Sequence, residues 1–259
     1  MRSLTIILFA FFVISCGSQK ANDTIQQKKI ETVVETNNTA TVDTLFMDFF
    51  EEFMWNKEFQ KSRIVFPYRQ DNKTIANSKN WKHLSFYTES EFIPILNSDT
   101  VRLFDKDVET NTIGLFIVNF KEKNVINYNF RKVKDKWFML GSENLSITNV
   151  PDFEFVDFLT QFSTDSVFQI NHTIFPLPET YSDSDKDYET VETTIQQSDW
   201  KHIELVDFAN KLMVLSNIDI NNKYRNIFYR GVENGIWVKF TFERINGIWK
   251  LIKLEDYST

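Results

Sequence analysis

Histidine is the side chain best suited to acid–base chemistry at neutral pH, and the chain contains three. His83 and His202 each end a Trp-Lys-His triplet, whereas His172 stands alone. A histidine beside an aromatic ring can act as a general base or contact a ligand. No partner carboxylate recurs beside both triplets, so the pattern favours a structural role. We therefore predict no catalytic residue, and we keep His83 and His202 as candidates for a pocket or surface.

An acidic run in the second half of the chain has the alternation of a cation-binding loop. Carboxylates alternate with other residues from Asp183 to Glu189. An EF-hand loop beginning at Asp183 requires glycine and glutamate at places where this chain has Tyr188 and Thr194. We interpret the run as a solvated acidic loop, with weak calcium binding as the alternative, and predict no metal site.

The composition excludes several classes of function. The 259 residues include one cysteine and six glycines, which excludes multi-cysteine zinc sites and glycine-rich phosphate loops. The net charge is −7 and lysine and arginine do not cluster, so the basic surface that nucleic acid requires is missing. We expect no cofactor and no nucleic-acid partner.

The cysteine follows a secretory signal. Residues 1–15 combine a basic start with an apolar run too short to span a bilayer, which predicts a signal peptide. The sequence Val13-Ile14-Ser15-Cys16 resembles the lipobox of bacterial lipoproteins, in which the cysteine is acylated and becomes the first residue. We therefore predict lipidation at Cys16 and a membrane as partner, the alternative being a signal peptide with an accidental cysteine.

Residues 16–42 are predicted to be the lipidated cysteine and a flexible tether. The stretch after Cys16 is rich in Asn, Thr, Gln and Lys and contains no aromatic residue, so it cannot bury enough apolar area to offset ordering entropy. An edge strand over residues 31–36 is the alternative.

The rest of the chain contains an internal repeat, which predicts two similar domains over residues 43–149 and 150–259. A run of phenylalanines at helical spacing begins each copy, and paired aromatic motifs follow in the same order. The matched segments are Phe46–Phe53 with Phe155–Phe162, Phe59-Gln60 with Phe168-Gln169, Phe66-Pro67 with Phe175-Pro176, Trp81-Lys82-His83 with Trp200-Lys201-His202, and Phe130 and Trp137 with Phe242 and Trp249.

Each copy is predicted to place helices before an antiparallel sheet, which makes the class α+β. Asp43 or Thr44 is positioned to cap the first helix, and Asp152 its counterpart. We expect each Trp-Lys-His in a strand, a further helix clearest over Val206–Leu215, and three final strands in each copy. Lys134-Asp135 and Asn246-Gly247 are the expected hairpin turns.

The copies also differ. Trp55 and Trp237 have no tryptophan counterpart in the other copy, which makes them candidates for a copy-specific pocket or surface. Residues 43–149 carry 15 basic and 15 acidic side chains, whereas residues 150–259 carry 10 and 18. The acidity therefore belongs to the second copy.

This order of elements, ending in a three-strand meander, is similar to the cone-shaped nuclear-transport-factor-2-like fold. With the lipobox and the repeated motifs, the chain resembles a Bacteroidota lipoprotein family of unknown function (domain of unknown function 4348). The resemblance implies two tandem cone-shaped domains and a Gram-negative envelope, with no activity to inherit. The segment after Cys16 is not acidic, which in that group favours an outer-membrane anchor facing the periplasm.

We expect a non-catalytic envelope lipoprotein that binds a small apolar ligand or an envelope protein. The cone's phenylalanine-lined sheet supplies the pocket. The alternative is an isomerase- or dehydratase-like enzyme that uses His83 or His202 in the cone cavity.

Lipidation has a direct test. Cys16→Ser removes the thiol that would carry the lipid, so the protein should leave the membrane fraction for the soluble fraction. Cell fractionation followed by immunoblotting measures this shift, and unchanged membrane association would refute the anchor.

Overall fold

The computed structural model describes residues 43, 45–86, 95–98, 111–205, 211–231 and 235–259. The predicted signal peptide, Cys16 and the tether lie outside these residues. Thr41–Thr259 form one compact unit. No helix among the described residues is long and apolar enough to cross a membrane.

The first copy has two helices followed by six strands. The elements are α1 (Phe46–Trp55), α2 (Lys57–Ser62), β1 (Ile64–Gln70), β2 (Lys73–Ile75), β3 (Ile95–Asn97), β4 (Thr112–Asn119), β5 (Asn124–Val133) and β6 (Lys136–Ser146).

The second copy repeats this order. Its elements are α3 (Phe153–Thr164), α4 (Ser166–Asn171), β7 (Leu177–Asp183), β8 (Glu189–Ile195), β9 (Lys211–Leu215), β10 (Tyr224–Arg230), β11 (Trp237–Ile245) and β12 (Ile248–Asp256). The α+β class and the two closing meanders predicted from the sequence are confirmed.

All twelve strands form one continuous sheet, in the order β2-β1-β6-β5-β4-β9-β3-β10-β11-β12-β7-β8. The order is the same from either end when each strand of the first copy is matched to its counterpart in the second, so that β1 corresponds to β7, β2 to β8, and so on to β6 and β12. The two central strands are exchanged, because β9 pairs with β4 of the first copy and β3 pairs with β10 of the second. Each half of the sheet is therefore completed by a strand from the other copy.

The sheet is mixed, whereas an antiparallel sheet was expected in each copy. The pairs β1·β6, β7·β12 and β3·β9 are parallel, and the other pairs are antiparallel. β6 and β12 each carry a bulge at the corresponding place, where Leu140 and Ile252 have no partner in the register. Such bulges bend a sheet and increase its twist.

The two helical layers pack on opposite faces of the sheet. Ile113, Leu115 and Ile117 of β4 pack in the core with α1, whereas Phe116 and Val118 pack in the core with α3. Since successive side chains of a strand point to opposite faces, the two cores lie on the two sides of the shared central strands.

A buried glutamine ties α2 to the Trp-Lys-His segment in the first copy. The amide nitrogen of Gln60 donates to the carbonyls of Phe53 (3.1 Å) and Leu84 (3.0 Å). Its amide oxygen accepts from Trp81 Nε1 (3.1 Å) and the Leu84 backbone N–H (2.8 Å). One side chain thus joins two segments more than 20 residues apart in sequence.

The second copy has the same clamp around Gln169. This side chain donates to the carbonyls of Phe162 (2.8 Å) and Ile203 (2.9 Å). It accepts from Trp200 Nε1 (3.0 Å) and the Ile203 backbone N–H (2.9 Å). The repeated Phe-Gln and Trp-Lys-His motifs are therefore explained by packing and by this set of hydrogen bonds.

Of the predicted helix caps, Asp152 is at the expected position and Asp43 is not, while Thr44 lies outside the described residues. Leu45 is the N-cap of α1, and Asp43 instead forms two hydrogen bonds with Arg63 (2.8 and 2.9 Å) and accepts from the Trp137 backbone N–H (2.6 Å). Asp152 is the N-cap residue of α3, but its carboxylate binds Arg225 and makes no capping bond. A buried guanidinium competes better for each carboxylate than a helix N–H does.

The helix predicted over Val206–Leu215 is also wrong in its described part, because Lys211–Leu215 is strand β9. Leu212, Met213 and Val214 are all buried, since this central strand is covered on both faces. A continuous apolar run of this length does not distinguish a buried strand from a helix.

The contribution of the Gln169 hydrogen bonds, which form the glutamine clamp of the second copy, to the free energy of unfolding can be measured. Gln169→Leu leaves two N–H donors and two carbonyls without their partner, so the free energy of unfolding should fall by about 3–5 kcal/mol in urea denaturation. Gln161→Leu, on the exposed surface of α3, is the matched control and should change it by less than about 0.5 kcal/mol. A loss of similar size in both variants would refute the clamp.

Candidate functional site

The structure places His83 and His202 in irregular segments, so the predicted strand for Trp-Lys-His is wrong. Each triplet follows a short 3₁₀ turn, and its tryptophan is held by the glutamine clamp. His83 is half-buried, and its Nε2 is buried without a partner among the described residues. His202 is exposed. The adjacent Leu84 and Ile203 pack against different cores, so the two histidines do not form one site.

His172 has a structural environment. Its ring stacks on Phe168 with 3.7 Å between centroids, and its Nδ1 bonds to the Phe168 carbonyl at 2.8 Å. In the first copy, Arg63 occupies the corresponding position over Phe59, 4.7 Å from that ring's centroid. A flat cation and an imidazole thus fill the same place in the two copies.

The two copy-specific tryptophans lie apart. Trp55 is the last residue of α1 and is 49% exposed. Trp237 begins β11 and is half-buried between Phe228 and Tyr257, at centroid distances of 6.1 and 5.0 Å. Neither is brought to a histidine by any described contact.

The acidic run forms a turn that is ordered by its own hydrogen bonds. Asp183 accepts from the Asp185 backbone N–H (3.0 Å) and pairs with Lys186 (3.2 Å). Within the part of the chain that the structure describes, no three His, Cys, Asp or Glu side chains are grouped as metal ligands.

A group of hydroxyls inside the first copy is the polar feature that sequence reasoning missed. The Tyr68 hydroxyl, in β1, donates to Ser142 Oγ in β6 at 2.7 Å, and Tyr68 is only 1% exposed. Tyr128 of β5 lies directly opposite Ser142 in the register. We call Tyr68, Tyr128 and Ser142 the hydroxyl cluster.

Aromatic rings surround the hydroxyl cluster. The ring of Trp81 meets Tyr68 edge-on at 4.9 Å, and Phe86 meets Tyr128 edge-on at 5.1 Å. Phe86 in turn packs on Phe50 of α1 at 5.1 Å. The hydroxyls are therefore set in an apolar surrounding between helix and sheet, where a polar interaction is stronger than in water.

The counterpart region of the second copy contains no hydroxyl at these positions. Leu177, Phe240 and Leu254 stand where the first copy has Tyr68, Tyr128 and Ser142, and all three are buried in the core. Their matched positions are visible in the repeat alignment, because Leu177 follows Pro176 as Tyr68 follows Pro67. The sequence signal for the cluster is therefore the replacement of hydroxyl-bearing residues in one copy by apolar residues in the other.

Burial raises the pKa of both phenols of the cluster, which are neutral at physiological pH. It raises the pKa of Tyr128 to about 12. Burial also raises the pKa of Tyr68, against a lowering effect of the Ser142 hydrogen bond and with a further rise from Tyr128 and Asp71. Neutral phenols donate and accept hydrogen bonds but do not abstract protons at physiological pH.

The nearby carboxylate is already engaged. Asp71 accepts from the backbone N–H of Asn144 at 2.8 Å and from its side-chain amide. Among the described residues, the hydroxyl cluster offers groups that can form a hydrogen bond with a polar atom. The carboxylate beside it, Asp71, already accepts other hydrogen bonds.

Comparison with known proteins gives a family and a fold. The sequence matches the family described as "Domain of unknown function (DUF4348)" over residues 22–256. The chain is also similar to an NTF2-like protein from Bacteroides fragilis NCTC 9343, with 25% identity and a TM-score of 0.62, over 85% of this chain and 99% of that one. No curated protein matches it.

The raised pKa of Tyr128 predicts a loss of stability at alkaline pH. Between pH 10 and about 12 the unfolded chain releases a phenol proton that the folded chain keeps, so the free energy of unfolding falls as pH rises. Tyr128→Phe should remove about 1–2 kcal/mol of that fall, measured by urea denaturation across this range. Tyr188→Phe, at an exposed hydroxyl, should retain the wild-type slope; equal slopes in all three proteins would contradict the prediction.

Proposed function

We propose that this chain, which belongs to the family described as Domain of unknown function (DUF4348), is a non-catalytic binding module held at a bacterial membrane. The family and its NTF2-like neighbour agree with the resemblance drawn from the sequence. Neither supplies an activity, so the proposal is argued from the residues of the first copy.

The two repeats are proposed to be tandem copies of the NTF2-like fold with different duties. The matched order of elements, the palindromic strand order and the paired glutamine clamps support two copies of one fold. In the second copy, Leu177, Phe240 and Leu254 fill the interior. In this proposal the second copy therefore has a structural role, and the first copy binds the ligand.

The hydroxyl cluster is the observation that carries this assignment. A buried polar group costs free energy unless it is hydrogen-bonded. Tyr68 and Ser142 satisfy each other, whereas no described residue accepts from or donates to the Tyr128 hydroxyl. Leu177, Phe240 and Leu254 occupy the same positions in the second copy, so the fold itself does not require hydroxyls there.

The chemistry of the site defines the class of ligand. Trp81, Phe86 and Phe50 offer an apolar, aromatic surrounding, and the half-buried Tyr128 hydroxyl offers one polar contact. We infer a small, largely apolar ligand with one hydroxyl or carbonyl group, bound between α1 and the sheet. The isomerase-like alternative has less support, because no described carboxylate contacts His83 or His202.

The location is proposed from the N-terminal sequence. The signal-like residues 1–15 and the lipobox ending at Cys16 support a lipid anchor. The non-acidic segment Gly17–Ala21 supports retention in the outer membrane facing the periplasm.

Native mass spectrometry of the detergent-solubilised full-length protein tests the binding proposal. A small molecule that co-purifies with the wild type should be lost or reduced about tenfold in Tyr128→Phe, since one hydrogen bond in an apolar site is worth about 1.4 kcal/mol. Tyr188→Phe is the control and should keep the bound molecule. Absence of any bound molecule from the wild type, or equal retention in both variants, would overturn the proposal.

A further inference from the structure

We propose that one end of the sheet rests on the lipid bilayer and inserts apolar side chains into its surface. This inference deepens the proposed lipid anchor and rests on it. It concerns the hairpin end, defined as the end of the sheet that carries the turns Lys134-Asp135 and Asn246-Gly247.

Strand directions place both turns at the same end. The exchanged strands β3 and β9 run parallel, and each is antiparallel to its other neighbour, β10 or β4. β4 and β10 therefore run in one direction, as do β5 and β11. The turns that follow β5 and β11 therefore lie at the same end of the sheet, separated by the four strands β4, β9, β3 and β10.

The chain also enters the fold at the hairpin end. The backbone N–H of Asp43 donates to the Asp135 carbonyl (3.0 Å), and its carboxylate holds Arg63 and the Trp137 backbone N–H. Residues 17–42 connect this point to Cys16. If these residues are as flexible as their composition predicts, their typical end-to-end distance is about 25–30 Å, so a lipid on Cys16 would place the hairpin end near the membrane.

Four exposed apolar residues lie at this end of the second copy, with Phe153 at the start of α3 on one face of the sheet and Ile245 and Ile248 on the opposite face. Phe153, Ile220, Ile245 and Ile248 are 36%, 61%, 36% and 50% exposed. Ile245 and Ile248 flank the Asn246-Gly247 turn and face each other in the register. Ile220 precedes β10, whose first residues pair with the last residues of β11.

Two arginines hold the residues around Phe153 and Ile220 at the hairpin end. Arg225 binds the carboxylate of Asp152 and the carbonyl of Ile220 (3.2 Å), and Arg244 binds Glu154. In the sequence, Phe153 lies between Asp152 and Glu154, whose carboxylates the two arginines bind. Both guanidinium groups also lie over the ring of Trp249, at 5.0 and 5.7 Å from its centroid. The part of this apolar patch formed by Phe153 and Ile220 is thus tied to the sheet.

The charge distribution favours a lipid surface at the hairpin end. Lys132, Lys134 and Lys136 surround the first hairpin turn, with Asp135 as the acidic residue among them. β7 runs parallel to β12, so the acidic loop from Asp183 to Glu189 lies at the opposite end. An anionic bilayer attracts the hairpin end and repels the other, while the isoleucines and Phe153 enter the interface.

The test uses lipidated full-length protein, whose cysteine is occupied by the anchor. Ile248→Cys and Asp185→Cys each provide one reactive thiol, at the hairpin end and in the acidic loop. Each variant is labelled with a polarity-sensitive fluorophore and bound to vesicles of phosphatidylethanolamine with a minority of phosphatidylglycerol, with or without acyl-chain spin-labelled lipid. The label at position 248 should lose most of its emission to the quencher, and the label at position 185 should lose none.

Several outcomes distinguish this inference from the anchor itself. Replacement of Phe153, Ile220 and Ile245 by serine should reduce the quenching at position 248 while Cys16 still holds the protein on the vesicles. Equal quenching at both positions, or none at either with the protein still bound, would overturn the inference and leave the anchor intact. A disulfide-linked dimer of the Ile248→Cys variant would assign the patch to a second copy of the chain. Membrane association that survives Cys16→Ser refutes the anchor instead.

Discussion

The parallel pairing of β3 with β9 is the constraint on which most of the architecture depends. Each of these short strands leaves its own copy and pairs with the first meander strand of the other. The exchange makes one sheet from two repeats and puts their helices on opposite faces, because matched side chains of the two copies then point in opposite directions. It also aligns the two meanders, so that both hairpin turns reach the same end. A proposed membrane-facing end exists only because of this shared direction.

The motifs that recur in both copies are those that maintain the fold. Gln60 and Gln169 each satisfy two carbonyls and two N–H donors in a buried setting, and each orders a tryptophan and the residues that follow it. These bonds link the end of the helical layer to a long connection that would otherwise have unpaired backbone groups. The repeated histidines are neighbours of this clamp and not parts of a shared catalytic group, which explains their recurrence without chemistry.

The positions where the copies differ hold the features that we connect with function. A hydroxyl pair and a half-buried tyrosine occupy positions in the first interior where the second has Leu177, Phe240 and Leu254. Likewise, lysines surround the first hairpin turn, whereas isoleucines flank the second. Two repeats with the same order of elements can diverge in this way, because the glutamine clamps and the strand exchange supply stability that the proposed binding site and membrane patch need not supply.

The sequence by itself determined the α+β class, the repeat, the helices with phenylalanine stripes and the hairpin turns, because periodicity and turn chemistry are local properties. It did not reveal that Asp43 and Asp152 bind arginines, since Arg63 and Arg225 are 20 and 73 residues away along the chain and outcompete local capping. The sequence of Lys211–Leu215 predicts a helix, because a strand that is buried on both faces has no alternation of apolar and polar residues. Only the tertiary structure brought Tyr68, Tyr128 and Ser142 together and placed Phe153, Ile220 and Ile248 at the same end of the sheet. Contacts of this kind depend on strand order and exchange, for which a linear sequence carries no periodic signal.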